Sequence, residues 1–220
     1  MSGRMLKAYL AGPEVFLPDS IAIGQSKKRL CTKYGFEGLY PFDNEVAPNG
    51  SGTRIDLLIY RANVAMMRDA DFGILNLTPF RGPSADVGTV FELGMLAGLG
   101  KPVFAYTNDT EDFLVRVQHA EAADFDAAAT VWRDSRGMTI EDFGNADNLM
   151  IDATLAEQGR SVVRHAATRD GRFRDLTGFE ACLRLAVDTL SSAVKAASVS
   201  RAEVRPPAPP ALGPIVPAKR

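Results

Sequence analysis

Residues 72–106 read FGILNLTPFRGPSADVGTVFELGMLAGLGKPVFAY, and their order of patterns decides the fold class. Phe72 to Leu77 is a short apolar run of strand length, Pro79 to Ala85 is loop punctuation, and Val87 to Leu99 is apolar enough for a buried helix that Gly100 closes. Pro102 to Tyr106 is a second apolar run. Strand, loop, helix, glycine and strand make a βαβ unit, whose right-handed crossover builds parallel sheets. The expected class is α/β.

The same alternation extends in both directions. Upstream, Lys7 to Leu10 is a strand ending in Ala11-Gly12-Pro13, and residues 19 to 34 form a helix with Asp19 or Ser20 as cap and Gly35 as stop. Gly38 to Phe42 is a second short strand, Ala47 to Gly52 a loop, and Ile55 to Arg68 a helix with one apolar face. Downstream, the alanine-rich stretch 120–135 predicts a helix, as does Phe179 to Ala197. Residues 199–220 hold many of the chain's 13 prolines and no apolar periodicity, which predicts an extended, disordered tail. One domain over 1–198 followed by that tail is the expected organisation.

Composition narrows the function. A net charge of -2 across 220 residues supplies no basic field for a phosphate backbone, so nucleic acid is not an expected partner. No run of about eighteen apolar residues is present, so no membrane span is expected. Cys31 and Cys182 form no CxxC pair or disulfide framework, and no apolar signal segment opens the chain; a reducing cytoplasm is the expected location. His119 and His165 lack partners at metal spacing, and no glycine-rich phosphate loop occurs, so neither metal nor cofactor is expected.

In parallel sheets, ligands bind beyond the carboxyl ends of strands. That directs attention to Tyr9 and Gly12 after the first strand, and to residues 78–94 after the strand ending at Leu77. Within the latter, Glu92 is a lone acid among Val87, Val90, Phe91, Leu93, Met95 and Leu96. Gly88, Gly94 and Gly98 on the same helix cost about 1 kcal/mol each against alanine, which implies a need for space. A carboxylate near a helix N-terminus is favoured in its ionised, nucleophilic form, although a plain first-turn glutamate would look the same.

Ala8-Tyr9-Leu10-Ala11-Gly12-Pro13, Phe42-Asp43-Asn44-Glu45, Asn63 with Asp71, and Phe80-Arg81-Gly82 through Glu92-Leu93-Gly94 resemble the nucleoside 2-deoxyribosyltransferase family. The resemblance continues through Glu141-Asp142-Phe143-Gly144 and Asn148-Leu149-Met150, spanning about residues 5–152; a helical extension over 153–198 lies outside it. It implies a flavodoxin-like fold and a double displacement on 2'-deoxynucleosides. Glu92 would attack C1' of the sugar as the base leaves, and a free nucleobase would then take the sugar from the glycosyl-enzyme. Tyr9 would hold Glu92 by its hydroxyl, or else be a strand-end aromatic.

Asp86 matches the position that accepts the sugar's 5'-hydroxyl, where an aspartate would repel a phosphate; it is equally placed to cap the helix. Asn63 stands where other members carry an aspartate facing the base, and it cannot deliver a proton. The resemblance also puts Gly12, Phe16 and Gly88 in the substrate site. Asp43 and Glu45 are candidate base-edge readers or turn residues. Asn148 and Met150 match residues that a neighbouring subunit contributes, which implies a homo-oligomer; alternatively Asn148 caps a helix and Met150 joins the core. Two other functions fit the same residues: a hydrolase that passes the sugar to water, and a non-catalytic nucleoside-binding protein.

Overall fold

A computed structural model describes residues 4–44 and 53–203, with side chains described as far as residue 190. The chain runs β1 (Leu6–Ala11), α1 (Ser20–Lys33), β2 (Phe36–Leu39), α2 (Ile55–Asp69), β3 (Phe72–Asn76), α3 (Val87–Gly98) and β4 (Val103–Thr107). It continues with α4 (Phe113–Ala120), β5 (Ala123–Asp126), β6 (Val131–Asp134), β7 (Thr139–Ile140), α5 (Leu149–Glu157), β8 (Val163–Arg164) and α6 (Thr177–Glu203). Short 3-10 turns follow β1 at Pro13–Phe16 and β2 at Pro41–Asp43.

Five parallel strands form one sheet in the order β2-β1-β3-β4-β8. The alternation predicts parallel α/β, and this is the flavodoxin-like order that the family resemblance implies, with its topological switch between β1 and β3. The two-residue strand repeat sorts side chains between two cores. Ala8, Leu10, Phe72, Ile74, Phe104 and Tyr106 face α1 and α6, where Cys31, Phe179, Leu183 and Ala186 cover them. Tyr9, Ala11, Leu75, Val103 and Ala105 face the other way, under Met67 of α2, Leu93 and Leu96 of α3, and Leu155 of α5. Tyr9 therefore points toward α3 because of its place in the alternation.

Two sequence expectations are corrected. The second strand ends at Leu39 rather than Phe42, since Pro41 offers no ladder donor and Asp43 Oδ2 accepts the Tyr40 amide at 2.9 Å, closing a turn. The stretch 120–135 is not helical. Glu121 is extended, Thr130 takes a positive φ of 57°, and β5, β6 and β7 form an antiparallel sheet. Asp126 accepts the amides of Ala128 and Ala129, both at 3.1 Å, and Phe125 pairs with Trp132 across the strands at 5.4 Å. Alanine's helix preference is a few tenths of a kcal/mol per residue, and such turn and cross-strand contacts override it.

The last helix runs to Glu203, past the expected end at Ala197 and into the first residues of the proline-rich segment. The loop expected over 47–52 and residues 204–220 lie outside the described residues. Among the described residues no helix is long and apolar enough to cross a membrane.

Leu96 is fully buried, and its Cδ1 lies 2.6 Å from where a Cβ at Gly73 would sit. α3 thus packs on β3 at van der Waals contact. Leu96→Ala is expected to cost about 2–5 kcal/mol, read from the midpoint of urea unfolding. A loss under about 1 kcal/mol would mean the α3–β3 contact is loosely packed.

Candidate functional site

The cavity lies where the switch point predicts, beyond the carboxyl ends of β1 and β3. It has a volume of about 520 Å³ and is lined by Gly12, Val15, Phe16, Pro41, Phe42, Asn44, Ile59, Asn63, Asp86, Gly88, Thr89 and Glu92. Gly12 follows β1 with φ 157°, and a Cβ there would meet Glu14 Oε2 at 2.3 Å and Asn76 Cβ at 2.6 Å. Only glycine lets the backbone lie that close.

At the centre, the Tyr9 hydroxyl donates to Glu92 Oε1 at 2.5 Å. Burial is the largest influence on Glu92 and pushes its carboxyl up to about 7; Asp86 and Glu14 add to this, and the Tyr9 hydrogen bond opposes it. Dipole stabilisation fades beyond the first turn, and Glu92 is the sixth residue of α3. Helix position therefore does not keep Glu92 ionised, contrary to the sequence reading. Burial beside Glu92 likewise raises the Tyr9 phenol far above its ordinary value, so Tyr9 is a donor at all physiological pH.

Asp86 is the N-cap of α3: Oδ2 accepts the Thr89 amide at 2.9 Å and the Thr89 hydroxyl at 3.1 Å. It also lines the cavity, so capping and ligand contact are compatible roles. Its approach loop is pinned from below. The Ala85 amide donates to Asp147 Oδ2 at 2.8 Å, Ser84 donates to Asp147 Oδ1, and Arg116 reaches the carbonyl of Pro83 at 2.7 Å. On the rim, Phe16 stacks on Phe80 at 5.2 Å and 9°, and the Arg81 guanidinium lies over both rings. Arg81 holds a positive φ of 56° there.

The cavity lining also holds a carboxamide pair, in which Asn44 Nδ2 approaches Asn63 Oδ1 at 3.4 Å. The fold thus brings together Tyr9, Gly12, Phe16, Asn63, Asp86, Gly88 and Glu92. Asp43 is not among them: its carboxylate is engaged by Lys28 at 2.8 Å and by the Tyr40 amide, as the turn reading allowed, and Phe42 and Asn44 line the cavity instead. Glu45 lies outside the described residues. Asn148 caps α5, accepting the Met150 amide at 3.0 Å and donating to Glu141 at 2.7 Å. Met150 is 68% exposed rather than core, and neither residue lines the cavity of its own chain.

Among the described residues, a Cβ at Gly94 or Gly98 would meet no atom within 4 Å, whereas a Cβ at Gly88 would come within 3.0 Å of Asp86 Oδ2. Sequence reasoning also passed over Glu14, Lys27 and Asp147. Lys27 carried a signal, since it falls four residues after Ile23 and four before Cys31, on the apolar stripe of α1. Among the described residues no group of three or more His, Cys, Asp or Glu side chains could hold a metal ion.

Three of the known proteins and families that this chain matches are informative. The model of the family described as nucleoside 2-deoxyribosyltransferase matches residues 8–150. An uncharacterised protein of Schizosaccharomyces pombe is 31% identical over 166 residues, covering 70% of this chain and 79% of its own. A solved structure of a 2-desoxiribosyltransferase from Leishmania mexicana is 30% identical, with a TM-score of 0.59 over 83% of this chain and 97% of the other.

The raised carboxyl has a stability consequence. Glu92 holds its proton in the folded state up to about pH 7 but releases it near 4.5 when unfolded, so between these values the folded state binds more protons and stability falls as pH rises. The loss above pH 7 is on the order of 3 kcal/mol. Glu92→Gln removes the titration. It is expected to raise unfolding stability by more at pH 8 than at pH 5, measured by urea denaturation at both values; an equal gain at both would contradict the buried, raised carboxyl.

Proposed function

The chain belongs to the nucleoside 2-deoxyribosyltransferase family, and on that premise we propose that it exchanges the base of 2'-deoxynucleosides through a covalent deoxyribosyl-Glu92 intermediate. The single observation that carries this reading is a cavity-lining carboxylate fixed through one oxygen by a tyrosine hydroxyl at 2.5 Å. A carboxylate held in this way has a defined line of attack, which is where orientation lowers a barrier. A Glu92 oxygen attacks C1', the C1'–N bond breaks, and its electron pair departs with the base. A second nucleobase attacks C1' from the vacated side and returns the pair to Glu92, so configuration is retained after two inversions.

The walls fit this substrate class. Phe16, Phe42, Ile59 and Val15 offer apolar surface to a flat base, and Asn44 and Asn63 offer hydrogen bonds but no transferable proton. Asp86, held in place by Thr89, suits a sugar hydroxyl and repels a 5'-phosphate. With Glu92 half ionised near pH 7, the rate of glycosyl-enzyme formation should rise through neutrality and level off above it.

We further propose a homo-oligomer in which Asn148 and Met150 complete a neighbour's site. Support comes from an exposed apolar stripe on α3: among the described residues Val87, Phe91 and Gly94 are exposed at helical spacing, and Phe91 meets the exposed Tyr60 ring of α2 at 6.4 Å. Met150 is itself an exposed apolar group on a different element.

Incubation with deoxyinosine and free adenine tests the reaction, with chromatography of the products. Deoxyadenosine is the expected product, and Glu92→Ala should abolish it while leaving the fold intact. Free deoxyribose in its place would indicate a hydrolase using the same carboxylate, whereas binding without turnover would contradict an enzyme. Assembly has its own check. Glu92→Ala and Asn148→Ala chains, each inactive, should regain part of the activity when mixed under subunit exchange. Mixtures that stay inactive despite demonstrated exchange would contradict shared sites.

A further inference from the structure

Behind the cavity floor lies a charge pair that the proposed chemistry does not use. Glu14, in the turn after β1, and Lys27 of α1 are both buried, at 0% and 1% side-chain exposure, and the Lys27 ammonium donates to Glu14 Oε1. The second carboxylate oxygen accepts from Asn76 Nδ2 at 2.9 Å. Otherwise Lys27 faces rings, 5.0 Å from the centre of Phe179 and 5.6 Å from that of Tyr106. Taking two ions out of water costs several kcal/mol each, and apolar replacement of such pairs is often neutral or stabilising. Stability alone is a weak reason for the pair.

Two contacts tie it to the site. The Gly12 turn lies close over the Glu14 carboxylate and Asn76, since a Cβ at Gly12 would come 2.3 Å from Glu14 Oε2 and 2.6 Å from Asn76 Cβ, and Gly12 lines the cavity. Asn76 Oδ1 in turn accepts from the Thr78 amide at 3.0 Å and its hydroxyl at 2.6 Å, and the Thr78 hydroxyl accepts the Asn108 amide at 2.9 Å. The network thus joins the carboxyl ends of β1, β3 and β4. Glu14 also acts on Glu92 directly: its negative charge raises the proton affinity of that carboxyl. Among the described residues, the groups acting on the Glu92 carboxyl are Tyr9 from β1, Glu14 from the turn after it and Asp86 from the cap of α3, and uncharged Asn63 of α2 lines the same cavity.

We propose that Glu14 and Lys27 are positioning residues for glycosyl transfer: Glu14 holds the Gly12 turn against the ends of β1 and β3 and sets a negative charge behind Glu92, and Lys27 fixes the Glu14 carboxylate in place through the buried ion pair. This rests on the reading of Glu92 as the nucleophile. Neither residue touches substrate. A carboxylate with higher proton affinity is the stronger nucleophile once ionised, so the charge of Glu14 trades ionisation at low pH for reactivity at higher pH.

The test compares wild type with the paired variant Glu14→Gln/Lys27→Met and with Glu14→Asp. Two quantities are read: the titration of the Glu92 carboxyl by isotope-edited infrared or NMR, which needs no turnover, and kcat and KM against pH. The paired variant should unfold at or above the wild-type temperature, titrate Glu92 lower by about half a pH unit, and lose about tenfold or more in kcat with KM little changed. Glu14→Asp, shorter by one methylene but still charged, should keep the titration and lose kcat. A folded paired variant with wild-type titration and kcat overturns the proposal. Should the paired variant fail to fold, wild-type kcat in Glu14→Asp overturns it instead. If wild type exchanges no bases, the nucleophile reading has failed on its own, and an unmoved Glu92 titration would then refute the electrostatic link independently.

Discussion

The 2.5 Å hydrogen bond from Tyr9 to Glu92 joins a strand to a helix, and the rest of the site is arranged around it. Alternation along β1 sends Tyr9 toward α3, because Ala8 and Leu10 are needed against α1 and α6. On α3, Leu93 and Leu96 take the sheet-facing positions. Glu92, one residue before Leu93, is carried to the flank of the buried face, largely out of water yet beside the cavity. The register of β1 against β3, with Leu10 opposite Ile74, then places Gly12 and Thr78 on either side of the switch point. Moving any one of these elements by one residue would separate the two side chains.

That placement carries a cost in charge. Burial holds the Glu92 carboxyl near neutrality, and two further acids, Asp86 and Glu14, push in the same direction. A single hydroxyl works against them. Such an arrangement lowers stability above pH 7 and is retained where a carboxylate must react rather than merely dissolve. The surrounding polar groups are firmly held: Asp86 by Thr89, Glu14 by Lys27 and Asn76, and the approach loop by Asp147 and Arg116. Rigid neighbours keep the cavity polar groups from relaxing around a strained charge.

Much of this was legible in the sequence because it follows from periodicity. The apolar runs at 7–10, 72–77 and 102–106 and the capped helix between the last two specify the parallel sheet and its switch point, and the lone acid on an apolar helix marks the site. What was not legible depends on tertiary context. Alanine content in 120–135 favours a helix locally, and only the Asp126 turn and the Phe125–Trp132 pairing decide for strands. Asp43 and its neighbours Phe42 and Asn44 are equally plausible at the cavity until the 3-10 turn directs Asp43 back to Lys28. The helix-end argument for an ionised Glu92 failed because burial, invisible in a linear pattern, exceeds a dipole effect at the sixth residue. The Glu14–Lys27 pair falls between these cases, since the stripe of α1 exposes Lys27 as an anomaly but not the partner that neutralises it.

Covalent attachment of the sugar to Glu92 is the step on which the proposed chemistry stands. Wild-type protein should be mixed with a 2'-deoxynucleoside in the absence of an acceptor base, quenched in acid within the first turnover, and digested for mass spectrometry. One deoxyribosyl group on the peptide bearing Glu92, lost when a free base is added before the quench, is the predicted result. Release of base with no sugar on any peptide at any quench time, or attachment to a different side chain, would contradict Glu92 as the nucleophile.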